Sequence, residues 1–223
     1  MVVTTPPTGT GEFQFELSGG RLCLDFVNTV SGDRHGEARE RLNGYADLVA
    51  WARQAGIVDA AQARRLAAEA RRRPADAEAV RGDALALREA LFAVLSAAAE
   101  GREPAADDLA RVSSFVGRAL AHRRLACCEG GIALAWDDAA IALDAPLWPV
   151  AASAAELLTS RDDVARVRVC GLHETHECSW VFLDTTRAHT RRWCSMASCG
   201  NKAKARRHYA RTRGDEAPGK TRP

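Results

Sequence analysis

The chain has 223 residues, a formal net charge of +2, and 47% hydrophobic against 27% charged residues. That balance is ordinary for a soluble globular protein and allows one mid-sized domain plus a small one. No stretch is long and apolar enough to span a bilayer, and no repeat of solenoid period is visible, so membrane-spanning and repeat architectures are set aside.

Residues 1–16, with Pro6, Pro7 and Gly9 and no apolar run of signal-peptide type, are expected to be a flexible start and not an export signal, which predicts a cytoplasmic protein with reduced thiols. After Gly19-Gly20, the residues Leu22, Cys23, Phe26, Val27 and Val30 follow a helical period. Cys23 is expected as a small buried hydrophobe. Asp25 and Asn28 fall side by side and could hold a small ligand, although bracing the adjoining loop is the simpler role. A second helix is predicted over 45–55, stopped by Gly56. A third is capped by Asp59 and ended by Pro74. A longer one follows from about Ala77 to Ala99, with Gly82 a weak point, and another over 109–121 is opened by Pro104 and Asp107. Arginines 64, 65, 71, 72 and 73 are diluted by acidic neighbours and predict a solvated face.

The period then changes. Leu125 and Cys127, a Gly130-Gly131 turn, then Ile132, Leu134 and Trp136 alternate as a β-hairpin over 124–137. Cys127 and Cys128 would point to opposite faces, which places at least one of them in the core. Asp137-Asp138 is expected as a turn, since adjacent acids on a strand cannot share a proton. A last body helix runs from Pro146 to Ser160, with Trp148, Val150, Ala154, Leu157 and Leu158 inward. A link at 160–163 leads to a strand at 166–169.

Four of the seven cysteines lie in the next stretch: Cys170 and Cys178 with seven residues between them, then Cys194 and Cys199 with four. Two short loops, each giving a pair of thiolates, suit a tetrahedral Zn2+. Disulfides are the competing account and are disfavoured in a reducing compartment. His173 and His176 could each replace a cysteine as ligand. They stand three apart, so His173-Glu174-Thr175-His176 is not the metalloprotease H-E-x-x-H helix. Ser179 to Thr186, rich in β-branched and aromatic residues, is one arm of a small hairpin, and Gly200 to Arg211 is a helix. From Arg187 to Arg213 there are nine Arg or Lys and no acid, while the whole chain is only +2, so the rest is net negative. Such a basic segment beside a metal site is an electrostatic footprint for a phosphate backbone, or compensation for the charge of four thiolates on zinc.

Arg191-Arg192-Trp193-Cys194-Ser195-Met196 followed by Cys199-Gly200-Asn201-Lys202-Ala203-Lys204, with Trp180 to Thr185 before it, resembles the CGNR-type zinc finger. Gly20-Arg21-Leu22-Cys23-Leu24-Asp25-Phe26-Val27-Asn28-Thr29 is similar to the opening of the ABATE domain that accompanies that finger. Lys202 stands where the family name has Arg, and Gly171 to Glu177 widens the first cysteine pair. The resemblance implies a bacterial, stress-linked transcription regulator with zinc on Cys170, Cys178, Cys194 and Cys199 and DNA as partner. The expected architecture is a mainly α N-terminal domain with a small β-hairpin (17–160), then a small treble-clef-like α+β zinc finger (166–213) and a flexible tail (214–223). DNA would be met by Arg191, Arg192, Lys202, Lys204, Arg206 and Arg207, while the body senses a small-molecule ligand or forms a homodimer. The alternative is a zinc-stabilised protein-interaction or structural module. No P-loop, G-x-G-x-x-G or G-x-S-x-G motif is present, which weighs against an enzyme.

Overall fold

The computed structural model describes residues 13–137 and 142–215, except the side chains of 213–215. Asp138 lies outside them. In chain order the elements are α1 (Leu22–Val27), β1 (Val30–Gly32), β2 (Ala38–Glu40), α2 (Tyr45–Gln54), α3 (Ala60–Arg72), α4 (Pro74–Ala99), α5 (Ala106–Leu120), β3 (Arg123–Cys128), β4 (Gly131–Trp136), α6 (Leu147–Thr159), α7 (Arg161–Val164), β5 (Val167–Val169), β6 (Val181–Leu183) and α8 (Asn201–Asp215). The fold is a mainly helical body with small hairpins, followed by a small cysteine-bearing unit.

The long helix α4 is the axis of the body. Ala84, Leu87, Leu91, Val94 and Leu95 recur at three and four residues and are buried, and α1, α2, α3 and α5 pack around them. Pro74, expected as the end of α3, is the first residue of α4, where its missing N–H costs nothing. Gly82 does not interrupt the helix. Asp59 caps α3 by accepting the Gln62 N–H at 2.7 Å, as its sequence position predicts.

Two expectations are corrected. The apolar period of α1 does not continue to Val30, because Asn28 ends the helix and Val30 pairs with Glu40 in a β1–β2 hairpin. Gly32 makes that hairpin at φ +83, where a Cβ would stand 2.1 Å from the Glu37 carbonyl oxygen. Neither Cys127 nor Cys128 is in the core: both are exposed, as are Leu125 at 72%, Ile132 at 72% and Leu134 at 60%. The β3–β4 hairpin has the predicted alternation, with Leu125 opposite Leu134 and Cys127 opposite Ile132. It stands out from the body, so alternation there does not mean burial. Cys23 is buried as expected, and burial pushes its thiol up to about 11.

The strand β6 serves two cores. Val181 and Leu183 face the body core together with Val167 of β5, whereas Phe182 faces a smaller core of Cys170, Leu172, Cys178, Cys194, Cys199 and Ala203. This is the two-residue alternation of a strand with apolar matter on both sides. Asn28 fixes its position. Its Nδ2 donates to the Val181 carbonyl at 2.8 Å, and its Oδ1 accepts the Val181 N–H at 2.9 Å. Asp25 braces the loop before it, accepting the Gly19 N–H at 2.8 Å. Both residues therefore brace, as the simpler reading had it.

Asn28→Ala leaves a donor and an acceptor of Val181 buried without partners, and should cost about 2–4 kcal/mol in chemical denaturation. Asp25 adds a pH dependence: burial raises its pKa from 3.8 to about 6, against the opposite pull of the Gly19 bond. Its ionisation therefore costs the folded state nothing below about pH 4 and the full penalty above about pH 6. Asp25→Asn, which keeps the acceptor, should melt higher than wild type at pH 7, with the gap closing on acidification to pH 4.

Candidate metal centre

Cys170 directly follows β5, and its N–H donates to the Trp180 carbonyl at 2.8 Å, so the strand pair carries it into place. The loop then turns through a 3₁₀ turn at His173–Thr175 and a left-handed His176 (φ 54) to reach Cys178. The first cysteine pair thus lies between the two arms of the β5–β6 hairpin. The segment expected as one arm of a small hairpin contributes β6, and its other arm is β5, the strand that precedes the first cysteine. Of the second pair, Cys194 precedes and Cys199 lies within a single π-type turn, Met196–Gly200, which runs straight into α8. The Gly171 N–H donates to the Arg192 carbonyl at 2.8 Å and joins the two knuckles. A Cβ at Gly171 would lie 2.8 Å from the Trp193 ring, so the approach needs glycine.

The four sulfurs lie within 4.8 Å of one another and all four residues are buried. Cys178 and Cys194 are 3.8 Å apart, and Cys194 and Cys199 are 3.5 Å apart. A tetrahedral ion with metal–sulfur arms of about 2.3 Å has edges of about 3.8 Å, so the set fits a thiolate-bound metal ion. None of the four is in a disulfide. Their electrostatics ask for a cation: hydrogen bonds from Cys178, then Cys194 and Cys199, hold the Cys170 thiol well below its ordinary range, while Cys170 pushes those of Cys178 and Cys194 up. Against the raising effect of Cys170, hydrogen bonds from Cys178 and Cys194 lower the Cys199 thiol as well, so two of the thiols ionise readily and two resist without a compensating charge. Cys170 joins the cluster despite the wide spacing of its pair, because the extra residues are taken up by the 3₁₀ turn.

The histidines are turned elsewhere. His176 Nδ1 lies 3.1 Å from the buried Asp33 carboxylate and His173 Nδ1 lies 3.4 Å from it, while the Ser179 hydroxyl donates to the same group. Asp33 belongs to the β1–β2 turn, so it ties the knuckle to the body. Trp180 adds a bond from its indole N–H to the Val30 carbonyl at 2.7 Å, and the Ser179 N–H donates to Gly32 at 2.9 Å.

Of the expected basic residues, Arg192, Lys202, Lys204, Arg206 and Arg207 are exposed. Arg206 pairs with Glu177 at 2.6 Å. Arg191 differs: its guanidinium lies 4.3 Å over the Phe182 ring and donates to the carbonyls of Trp193, Ser18 and Cys194. Asp184, which sequence reasoning passed over, is fully buried. Burial alone would raise its pKa, but donors from Thr186 and the Arg191 N–H bring it below the usual carboxylate range. The signal for it was the Asp184-Thr185-Thr186 spacing of an Asx turn.

The model of a family described as a putative stress-induced transcription regulator, ABATE, matches residues 20–161. The chain belongs to the ABATE family. The CGNR zinc finger matches residues 166–212 and so covers the metal centre, β5, β6 and most of α8. No curated protein matches the chain. Cys170, Cys178, Cys194 and Cys199 all fall within the finger match, and Asn28, Asp33 and α4 within the ABATE match, so the contacts described above run between the two matched segments.

Cobalt loaded in place of the native ion should give the absorption of a tetrahedral four-sulfur site. Cys170→Ser should reduce its thiolate charge-transfer intensity by about a quarter, in proportion to one ligand of the four expected for such a site, and His176→Ala should leave the spectrum unchanged. Metal affinity should fall on acidification, because coordination requires the thiolates.

Proposed function

We propose that the protein is a zinc-dependent DNA-binding transcription regulator, with zinc on the four cysteines and DNA met by α8. The observation that carries this reading is the exposed surface of α8. Of its residues from Asn201 to Thr212, only Ala203 is buried, and the exposed ones include Lys202, Lys204, Arg206, Arg207 and Arg211 with no acid among them. A helix this polar does not fold on its own burial. It is held at its first turn by Cys199 and by Ala203 in the small core, so the metal orders the basic surface.

Cationic side chains spread around a helix suit contact with phosphates more than a narrow base-reading stripe. Arg192, Lys202, Lys204, Arg206 and Arg207 are the contacts in this reading, and Arg191 supports the second knuckle. Four thiolates close the coordination shell of zinc, which makes its role structural and leaves no position for a substrate. The ABATE body would sense a ligand or mediate dimerisation. The family's description as a transcription regulator supports the reading as a whole.

Binding of the zinc-loaded protein to duplex DNA should weaken with a log–log salt slope of about −0.9 for each phosphate neutralised. Lys204→Ala should reduce that slope by about one contact, and Cys194→Ser should abolish binding. Absence of DNA affinity at physiological salt would favour the protein-docking alternative for α8.

A further inference from the structure

Where the β3–β4 hairpin joins the body, the α2–α3 turn, α3 and the first turn of α6 enclose a cavity of about 100 Å³. Its walls are Ile57, Val58, Leu66, Trp136, Trp148 and Pro149. Val58, Leu66 and Trp148 are core residues, so the site is formed by packed side chains. The two indoles make a corner, with ring centroids 6.2 Å apart and planes inclined at 41°. Trp148 is locked by an N–H bond to Asp144 at 3.1 Å and by the His122 ring stacked on it at 3.7 Å. Trp136 lies under the Arg123 guanidinium at 3.9 Å. Neither His122 nor Arg123 lines the cavity, so both indoles are held from outside it.

Three polar side chains border the space: Gln62, Arg65 and Asp137. The Gln62 carbonyl is occupied by the Asp59 N–H at 2.8 Å, and Asp137 has Arg124 at 3.9 Å. Arg65 is exposed and makes no hydrogen bond or ion pair among the described residues. The border therefore offers one unpaired guanidinium beside an apolar aromatic interior.

We propose that this cavity binds a small single-ring aromatic carboxylate, with its ring against Trp136 and Trp148 and its carboxylate on Arg65. Size sets the ring count: a closed apolar cavity of about 150 Å³ takes one benzene, so a smaller one that opens to solvent takes one ring with its substituent outside. Inclined indoles favour an aromatic partner, which meets one face and one edge. Arg65 selects an anion, and a carboxylate matches its planar fork. The proposal names a ligand class for the sensing role of the body, and its test contains no DNA, so failure of DNA binding would leave the result untouched.

The test is isothermal titration of the full-length, zinc-loaded protein with benzoate and with benzamide, its neutral counterpart, alongside tryptophan fluorescence. Saturable benzoate binding with quenching is expected, with benzamide weaker. Arg65→Gln, an exposed change that should leave the circular dichroism spectrum intact, should weaken benzoate roughly tenfold and leave benzamide unaltered. Trp136→Phe should remove much of the quenching. Ala145 also lines the cavity, and Ala145→Leu, which fills it, should abolish both ligands. Benzoate affinity unchanged by Arg65→Gln, or no saturable binding at millimolar benzoate, would overturn the proposal.

Discussion

The paired bonds between the Asn28 side chain and the Val181 backbone set the relation between the two ends of the chain. They are buried, they join residues 153 positions apart, and they hold a strand of three residues whose ladder partner is the equally short β5. Without them β6 would present unpaired backbone to the body core. Because Val181 and Leu183 face one core and Phe182 the other, the same three residues transmit order in both directions. Metal binding therefore bears on the body as well as on the knuckles, through Ser179 and Trp180, which reach back to Gly32, Asp33 and Val30.

Charge is handled in two ways. In the body, Arg88 is buried and answered in full: both its terminal nitrogens reach Glu40 at 2.7 Å, and its Nε reaches Glu89 at 2.7 Å. Arg34 shares Glu89 and also donates to the Val27 and Ser179 carbonyls, so this network secures the β1–β2 turn against α4. Such a pair adds little net stability but penalises any other arrangement heavily. At the metal centre, four thiolates on a divalent ion would place net negative charge at the start of α8, where the helix dipole is positive and Lys202 borders the same pocket as Cys178, Cys194 and Cys199. The basic helix and the anionic cluster favour each other before any partner is considered.

Much of this was legible. The helices α2 to α6 follow from apolar period and capping residues, and the cysteine pairs and basic tail pointed to the metal centre and α8. The hidden parts share a physical cause, since each depends on a partner distant in sequence. Nothing local distinguishes Val30 as a strand residue from Val30 as a ninth helical position, because the decision rests with Asn28 and Val181. Arginine composition could not separate Arg191, which lies on Phe182, from Arg192 beside it. Cys127 and Cys128 were misjudged because alternation records two faces and does not say what covers them.

The shared strand has a consequence for how this finger could travel. A zinc knuckle with its own closed core can be cut out and grafted, or exchanged between genes, as a self-sufficient cassette. Here Val167, Val181 and Leu183 would enter water on excision, and the body would lose the wall that those three side chains supply. The finger and the helical body are thus constrained to be inherited together, with substitutions along β6 answerable to both.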